Sequence, residues 1–350
     1  MTSTLHIAGR KIGAPYPCFI IAEAGVNHNG DPELAHRLLE VAAEAGVDAI
    51  KFQTFSPEKL ASAQAPKAEY QLATTSSGES QLDMLRRLTL HSDQYPKLMD
   101  EARDRGLLFL STPFDESSAD FLESLGLPTF KIPSGEITNF PLLAHVARKG
   151  KPMLISTGMC TLAEVREALR VVADNGDPPI ALFHCVSCYP ALPADCNLRA
   201  MDSLAAEFHV PVGWSDHTLG TAISIAAVAR GAALVEKHFT LDRTLPGPDH
   251  RMSLEPAELM AMVQDLRATE QALGDGVKRP SNAEMGVAAV ARKSLHFARN
   301  LPAGSVLGAD DVVARRPGAG ISPSRLSYVI GRKLAMPVCA GELVRDSHLA

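Results

Sequence analysis

From Cys18 to about Thr240 the sequence repeats one pattern: a short apolar run, a polar or glycine-rich cluster, then an amphipathic stretch with helical spacing. Eight such runs occur: FIIAEAG (19–25), AIKFQTF (49–55), LLFLSTPFD (107–115), FKIPSGE (130–136), PMLISTG (152–158), IALFHCVSCY (180–189), PVGWSDH (211–217) and LVEKHFT (234–240). Near-continuous apolar runs, each followed by a helix pattern, predict parallel strands covered on their outer face. Eight strand–helix units in about 250 residues match a closed (β/α)8 TIM barrel of the α/β class. The competing doubly wound sheet needs a G-x-G-x-x-G turn after an early strand, and GVNHNG (25–30) lacks that spacing.

The pattern assigns residues 1–275 to the barrel, with a final helix over 256–273. Residues 56–92 form a longer insertion after the second strand, and its polar stretch AEYQLATTSSGES is expected to be flexible and to close over the barrel mouth. A Gly-, Pro- and Asn-containing segment, 276–291, reads as a linker, and 292–350 reads as a small β-rich domain. Within it LPAGSVLGADDV (301–312) and MPVCAGELVRDSHL (336–349) echo one another. A module of roughly 60 residues buries little core by itself, so it is expected to pack on a barrel, its own or a partner's.

With 46% hydrophobic and 21% charged residues, the composition is that of a soluble globular enzyme. The formal net charge of −6 gives no electrostatic case for nucleic acid or an anionic membrane, so any anionic ligand must be held by locally placed cations. Six scattered cysteines and the absence of a signal-peptide pattern point to the cytoplasm. The longest apolar stretch, 222–235, contains Arg230 and falls short of the ~20 residues a membrane span needs.

Barrels of this kind carry their chemistry at the C-terminal ends of the strands. Those ends supply Glu23 with Asn27 and His28, Lys51 with Gln53, Thr112 with Asp115, Lys131 with Ser134 and Glu136, Ser156, Ser187 with Tyr189, Ser215 with His217, and Glu236 with His238. Strand alternation puts Glu236 and His238 on one face and Lys237 on the other, and pairs Ser215 with His217. Two neutral histidines on neighbouring strands suit a divalent ion with open positions; a pair of hydrogen-bonded structural histidines is the other reading. Lys51 and Lys131 with nearby serines suit a phosphate and a carboxylate, though a Schiff base or buried salt bridges with Glu23 or Glu136 would use the same residues. Cys185 and Cys188 form a lone C-x-x-C and read as small buried residues, as does Cys160; GAG (318–320) reads as a turn. Asp249 of GPDH serves either a turn or a polyol contact.

In order, IAEAGVNHNG, KFQTF, STPFD, FKIPSGEITN, ISTGM, HCVSCYP, GWSDHTLG, EKHFTLD and GPDH resemble the sialic acid synthase family across nearly the whole chain, and the tail resembles its small antifreeze-like (SAF) domain. The resemblance implies a transferase of the N-acetylneuraminate or legionaminate synthase type. Such an enzyme condenses phosphoenolpyruvate with N-acetylmannosamine or 2,4-diacetamido-2,4,6-trideoxymannose, giving a nine-carbon 2-keto acid and phosphate. It further implies Mn2+ or Mg2+ held by His217 and His238. Phosphoenolpyruvate would lie on Lys51, Thr112, Lys131, Ser134, Ser156, Ser187 and Ser215, and the sugar on Gln53, Glu136, Tyr189, Glu236 and Asp249. Glu23, Lys51, Glu136 and Glu236 would be the catalytic set, with Glu23 positioning or deprotonating a water. A domain-exchanged homodimer would bring Arg316 to the acetamido group across the subunit boundary. This sequence departs from some members at Ser187, where Asn is found, at Trp214, and in GAGIS, which lacks an acidic residue. The alternatives are a pseudaminic acid synthase, another phosphoenolpyruvate–aldose synthase, and a carbohydrate- or ice-binding protein with an inert barrel.

Overall fold

In the computed structural model each of the eight apolar runs forms a parallel strand. The structure describes residues 4–68, 71–72, 75 and 78–350. A short antiparallel hairpin, β1 (Leu5–Ile7) and β2 (Arg10–Ile12), comes first. The barrel strands are β3 (Phe19–Gly25), β4 (Ala49–Thr54), β5 (Leu108–Pro113), β6 (Phe130–Ile132), β7 (Met153–Ser156), β8 (Ile180–Cys185), β9 (Val212–Asp216) and β10 (Leu234–His238). They are hydrogen-bonded in the order β5-β4-β3-β10-β9-β8-β7-β6, and β5 meets β6 across the seam. The (β/α)8 barrel predicted from the pattern is therefore the fold. The strands are shorter than the runs because the polar end of each run leaves the ladder: Ser134–Glu136 make a 3-10 turn after β6, and His217 lies one residue past β9.

Period-two alternation divides the barrel interior into layers. Phe19, Ile21, Ala49, Leu110, Leu154, Phe183 and Leu234 form an apolar layer. Two residues further along the same strands stand Glu23, Lys51, Thr112, Ser156, Cys185 and Glu236, so the next layer up is polar. Leu5, Ile7 and Ile12 of the hairpin join the apolar layer and seal the floor. The intervening strand residues, Ile20, Ile50, Ile155 and Trp214 among them, face outward into the larger core shared with the helices. Each such side chain contributes roughly 1.5–3 kcal/mol on burial. Helix ends are fixed locally: Asp31 caps Pro32–Ala45, and Thr161 with Glu164 forms a reciprocal capping box on Leu162–Asp174.

The hairpin has a signal too short to stand out in the sequence. LHI and RKI each alternate, and the two residues between them, Ala8 and Gly9, both take positive φ, 47° and 80°, as a tight two-residue hairpin turn requires. In the 56–92 insertion, Pro57–Leu60 and Gln81–Leu88 are helical. Met84, Leu85 and Leu88 pack with Val26, Phe55 and Ala61. The expected flexibility of the polar stretch 68–80 falls partly outside the described residues.

The chain divides into two compact units, Met1–Gly274 and Asp275–Ala350. In the second, the segment expected to be a linker carries the helix Asn282–Ala291, opened by a Ser281/Glu284 capping box; none of its residues is buried. Strands β11 (Ser294–Phe297) and β12 (Val312–Arg315) pair antiparallel over a core that includes Leu295, Phe297, Leu307 and Val344. The sequence echo is a structural one: Leu301 bridges Val338, and each copy ends in a 3-10 turn, Ala309–Asp311 and Asp346–His348.

Candidate active site

The polar layer opens into a cavity of about 390 Å³ at the barrel mouth. Its floor is a buried charge cluster. Lys51 Nζ lies 2.7 Å from Glu23 and 3.7 Å from Glu236, and donates to Thr112 Oγ1 at 3.1 Å. Lys131 Nζ donates to Glu236 at 3.1 Å, and Ser215 Oγ donates to the same oxygen at 3.0 Å. None of the four charged side chains is more than 5% exposed. Taking an ion out of water costs several kcal/mol, so two cations and two anions hold together only as a set.

The set is unevenly balanced. Burial pushes the Glu23 carboxyl up, to about 7, and Glu236 adds to that push against the pull of Lys51. Burial acts in the same sense on Glu236, but Lys131 and Lys51 outweigh it and hold that carboxyl low. Burial lowers Lys131, whereas for Lys51 the glutamates overcome burial and raise it. One carboxyl therefore titrates near neutrality beside one that stays ionised, an arrangement suited to proton transfer.

Beside this floor, the loops after β6, β7 and β8 converge. Gly158 N donates to Ser134 Oγ at 2.8 Å, and Cys185 Sγ lies 3.2 Å from that hydroxyl. A Cβ on Gly158 would fall 2.9 Å or less from Ser134 Oγ, Cys185 Sγ and Ser187 Oγ, so only glycine lets these groups meet. Ser156 Oγ is buried there without a partner. Hydroxyls around two lysines make a cradle for an anion.

His217 and His238 face the cavity from adjacent strand ends, ring centroids 5.7 Å apart, with the Tyr189 ring tilted against His217 at 4.1 Å between centroids. His217 Nδ1 donates to Val186 O at 2.6 Å, which leaves Nε2 bare; His238 Nδ1 is buried without a partner. Burial lowers both, His217 to about 4, so both are neutral at pH 7. Among the described residues no cluster of three or more His, Cys, Asp or Glu could hold a metal. A cation here would have two imidazoles and would take its other ligands from water or substrate.

Of the residues singled out in the sequence, Glu23, Lys51, Gln53, Thr112, Lys131, Ser134, Ser156, Ser187, Tyr189, Ser215, His217, Glu236, His238 and Asp249 all line this one cavity. Burial pushes Asp249 up to about 6. Glu136 is not among the lining residues; it lies in the 3-10 turn after β6 and accepts from Asn139 Nδ2 at 2.6 Å, and Asp115 caps the helix Glu116–Ser124. Arg316 is exposed in the second unit, its Nε donating to Ala291 O at 3.0 Å.

Other residues that build the site had no assigned role in the sequence reading, although Asn27 stood among the strand-end candidates and Cys185 among the small buried residues. Gly158 and Cys185 are part of the cradle. Asn27, 1% exposed, donates to Phe239 O at 2.8 Å and Ser253 Oγ at 3.0 Å, while Ser253 Oγ donates to Asp249 O at 2.6 Å. It thereby ties the end of β10 to the loop that carries Asp249. On the outer face, Lys237 pairs with Asp216 at 3.1 Å, joining β9 to β10 directly behind the two histidines.

Two further buried imidazoles under the Asp249 loop make the fold acid-sensitive. Burial depresses His28 and His250 to about 4. Between that value and the ordinary 6.5 the unfolded chain binds protons that the folded chain refuses, so stability is lost as pH falls through this interval. His28 alone accounts for about 3 kcal/mol over the whole interval, at about 1.4 kcal/mol per pH unit. Scanning calorimetry will show Tm dropping between pH 7 and 5; a flat Tm would mean that both imidazoles charge freely within the fold.

Comparison with known proteins places this architecture. The NeuB family model matches residues 38–278 and the SAF domain model residues 292–350. An N,N'-diacetyllegionaminic acid synthase of Legionella pneumophila is 46% identical over 354 residues, covering 100% of this chain and 99% of its own. A protein of the same name from Campylobacter jejuni is 46% identical over 329 residues, covering 93% of this chain and 98% of its own. The crystal structure of an N-acetylneuraminic acid (sialic acid) synthetase from Leptospira borgpetersenii, in complex with citrate, superposes with a TM-score of 0.73 at 34% identity, covering 82% of this chain and 95% of the other. The chain belongs to the NeuB family of sialic acid synthases and ends in a SAF domain.

Proposed function

We propose that this barrel is a transferase condensing phosphoenolpyruvate with an open-chain 2-acetamido sugar, N-acetylmannosamine or 2,4-diacetamido-2,4,6-trideoxymannose, to give a nine-carbon 2-keto acid and phosphate. The observation that carries the reading is one cavity holding a lysine and hydroxyl cradle beside a pair of neutral imidazoles. The names of the relatives in Legionella and Campylobacter, both acid-sugar synthases, support it.

Lys51, Lys131, Thr112, Ser134, Ser156, Ser187 and Ser215 hold the phosphate and carboxylate of phosphoenolpyruvate. Gln53, Glu136, Tyr189, Glu236 and Asp249 hold the sugar so that its aldehyde carbon meets the phosphoenolpyruvate methylene. That C–C bond forms as the aldehyde π bond opens and its oxygen takes up a proton to become a hydroxyl, water adds to the adjoining cationic carbon, and the tetrahedral centre collapses to the ketone with cleavage of its C–O bond, the electron pair leaving with phosphate. Glu23, raised toward neutrality, takes the proton of that water. The bare Nε2 of His217, the unpartnered Nδ1 of His238 and the neutrality of both rings fit a divalent ion, Mn2+ or Mg2+. Such an ion supplies Lewis-acid polarisation of the aldehyde oxygen.

The active unit in this reading is a cytoplasmic, domain-exchanged homodimer in which Arg316 of one subunit serves the sugar bound by the other. Met285, Val287 and Val290 are exposed on a helix without a buried residue, apolar surface that a second copy would cover. All six cysteines are free, and among the described residues no helix is long and apolar enough to cross a membrane.

Phosphate release from phosphoenolpyruvate, measured with each sugar in the presence of manganese and of chelator, tests the reading. Release that needs a sugar and stops with chelator is expected. Release without sugar, or indifference to chelator, would overturn it.

A further inference from the structure

Main-chain pairing does not by itself set the distance between His217 and His238. The ladder between β9 and β10 has its last registered pair at Asp216 and Lys237, one residue short of both histidines. His238 continues in register with Glu23 of β3, whereas His217 lies past the end of β9. Beyond that point a side-chain clamp on the outer face of the barrel joins the two segments. Lys237, the residue before His238, reaches Asp216 Oδ2 at 3.1 Å and donates to Thr218 O. It thereby grips the chain on both sides of His217. Asp216 braces the clamp: its Oδ1 accepts from Thr218 N and Thr218 Oγ1, both at 2.8 Å, and its Oδ2 accepts from Ser224 Oγ at 2.6 Å, in the first turn of the helix Ala222–Ala229.

Asp216, Thr218 and Lys237 are each 1% exposed and Ser224 is fully buried, while the nearby outward positions Ala22, Trp214 and Val235 belong to the apolar core. Stability does not explain a charged pair in such a place, because apolar residues of similar volume commonly match or exceed a buried ion pair. What the pair adds is direction, since its hydrogen bonds are made in one arrangement of the two strand ends only. We propose that Lys237 and Asp216 are positioning residues that hold His217 and His238 at the separation at which one divalent ion binds both rings, and so set the affinity for that ion. The inference rests on the metal assignment made under Proposed function. With two imidazoles as its protein ligands, an ion there feels a shift of either ring directly, and groups that orient metal ligands from behind contribute about 10- to 100-fold in affinity.

Lys237→Met alone would strand the carboxylate in apolar surroundings and destabilise the barrel for that reason. The variant that isolates positioning removes both charges together, Asp216→Asn with Lys237→Met: the amide keeps an oxygen for Thr218 and the thioether keeps the length of the lysine stem. In the full-length double variant, calorimetric titration with manganese alone is expected to give a Kd about 10- to 100-fold above wild type. The metal-free double variant is expected to unfold within about 3 °C of wild type or above it. Turnover at limiting manganese should fall and return at saturating manganese, with KM for phosphoenolpyruvate unchanged. An unaltered manganese Kd would overturn the proposal, as would lost turnover that saturating manganese does not restore. A double variant that no longer folds would also overturn it, since the pair would then belong to the framework of the barrel. A wild-type chain that binds no manganese, or binds it equally well after His217→Ala, would overturn the metal assignment itself, and the inference with it.

Discussion

His217→Ala and His238→Ala will each slow phosphate release by about 10³-fold or more, since Lewis-acid stabilisation contributes several kcal/mol and each 1.4 kcal/mol is a factor of ten. The fold should survive both changes. Among the described residues the His217 ring makes one hydrogen bond, to Val186 O, and His238 leaves Nδ1 unsatisfied, so removing either ring unpairs little. The double readout is calorimetric binding of manganese, expected to vanish in both variants, and an unchanged thermal unfolding profile. Full activity in both variants would remove the metal from the proposal and leave the two rings as structural histidines.

Lys131→Met is the second large effect, and its signature differs. It deletes the cation 3.1 Å from Glu236 and leaves that carboxylate with Lys51 at 3.7 Å. Breaking a buried pair from one side costs about 3–5 kcal/mol, so a marked fall in Tm should accompany the loss of turnover. Lys131 is the leading influence holding Glu236 ionised against burial, so the remaining carboxyl will take up a proton more readily. Adding Glu236→Gln should recover most of the lost stability without recovering activity, and KM for phosphoenolpyruvate should rise far more than KM for the sugar in Lys131→Met. Parallel rises in both constants would show that the lysine supports the barrel rather than the anion.

The barrel was legible because period and length both spoke for it: an outward Ile20, Ile50 or Ile155 between inward polar or apolar neighbours makes a continuous apolar run, and eight such runs have one common closed solution. The site was legible for the same reason, since Glu23, Lys51, Thr112, Ser156 and Glu236 each lie two residues beyond an interior apolar residue. What escaped detection has no periodic signature. The hairpin strands are three residues each, below the length at which alternation is informative. Gly158 reads as one more loop glycine until Ser134, Cys185 and Ser187 are seen to crowd the place where its Cβ would stand. Met84 and Leu85 belong to an eight-residue helix inside a polar insertion, and only their contact with Val26, from another strand end, shows that they face the cavity. Glu136 was legible as a strand-end carboxylate, but the 3-10 turn that brings it to Asn139 has no signature in the run itself.

The sealed floor has a consequence for traffic. With Leu5, Ile7 and Ile12 plugging the lower end, the described residues leave the chamber to be entered from its mouth. Lys131 belongs to the buried charge cluster of the floor, and Gln53 stands two residues beyond Lys51 of that cluster on the same strand. With the roles proposed for these residues, a sugar that arrived first would stand in the doorway and bar phosphoenolpyruvate from its cradle. In that reading loading is a queue, with phosphoenolpyruvate entering before sugar.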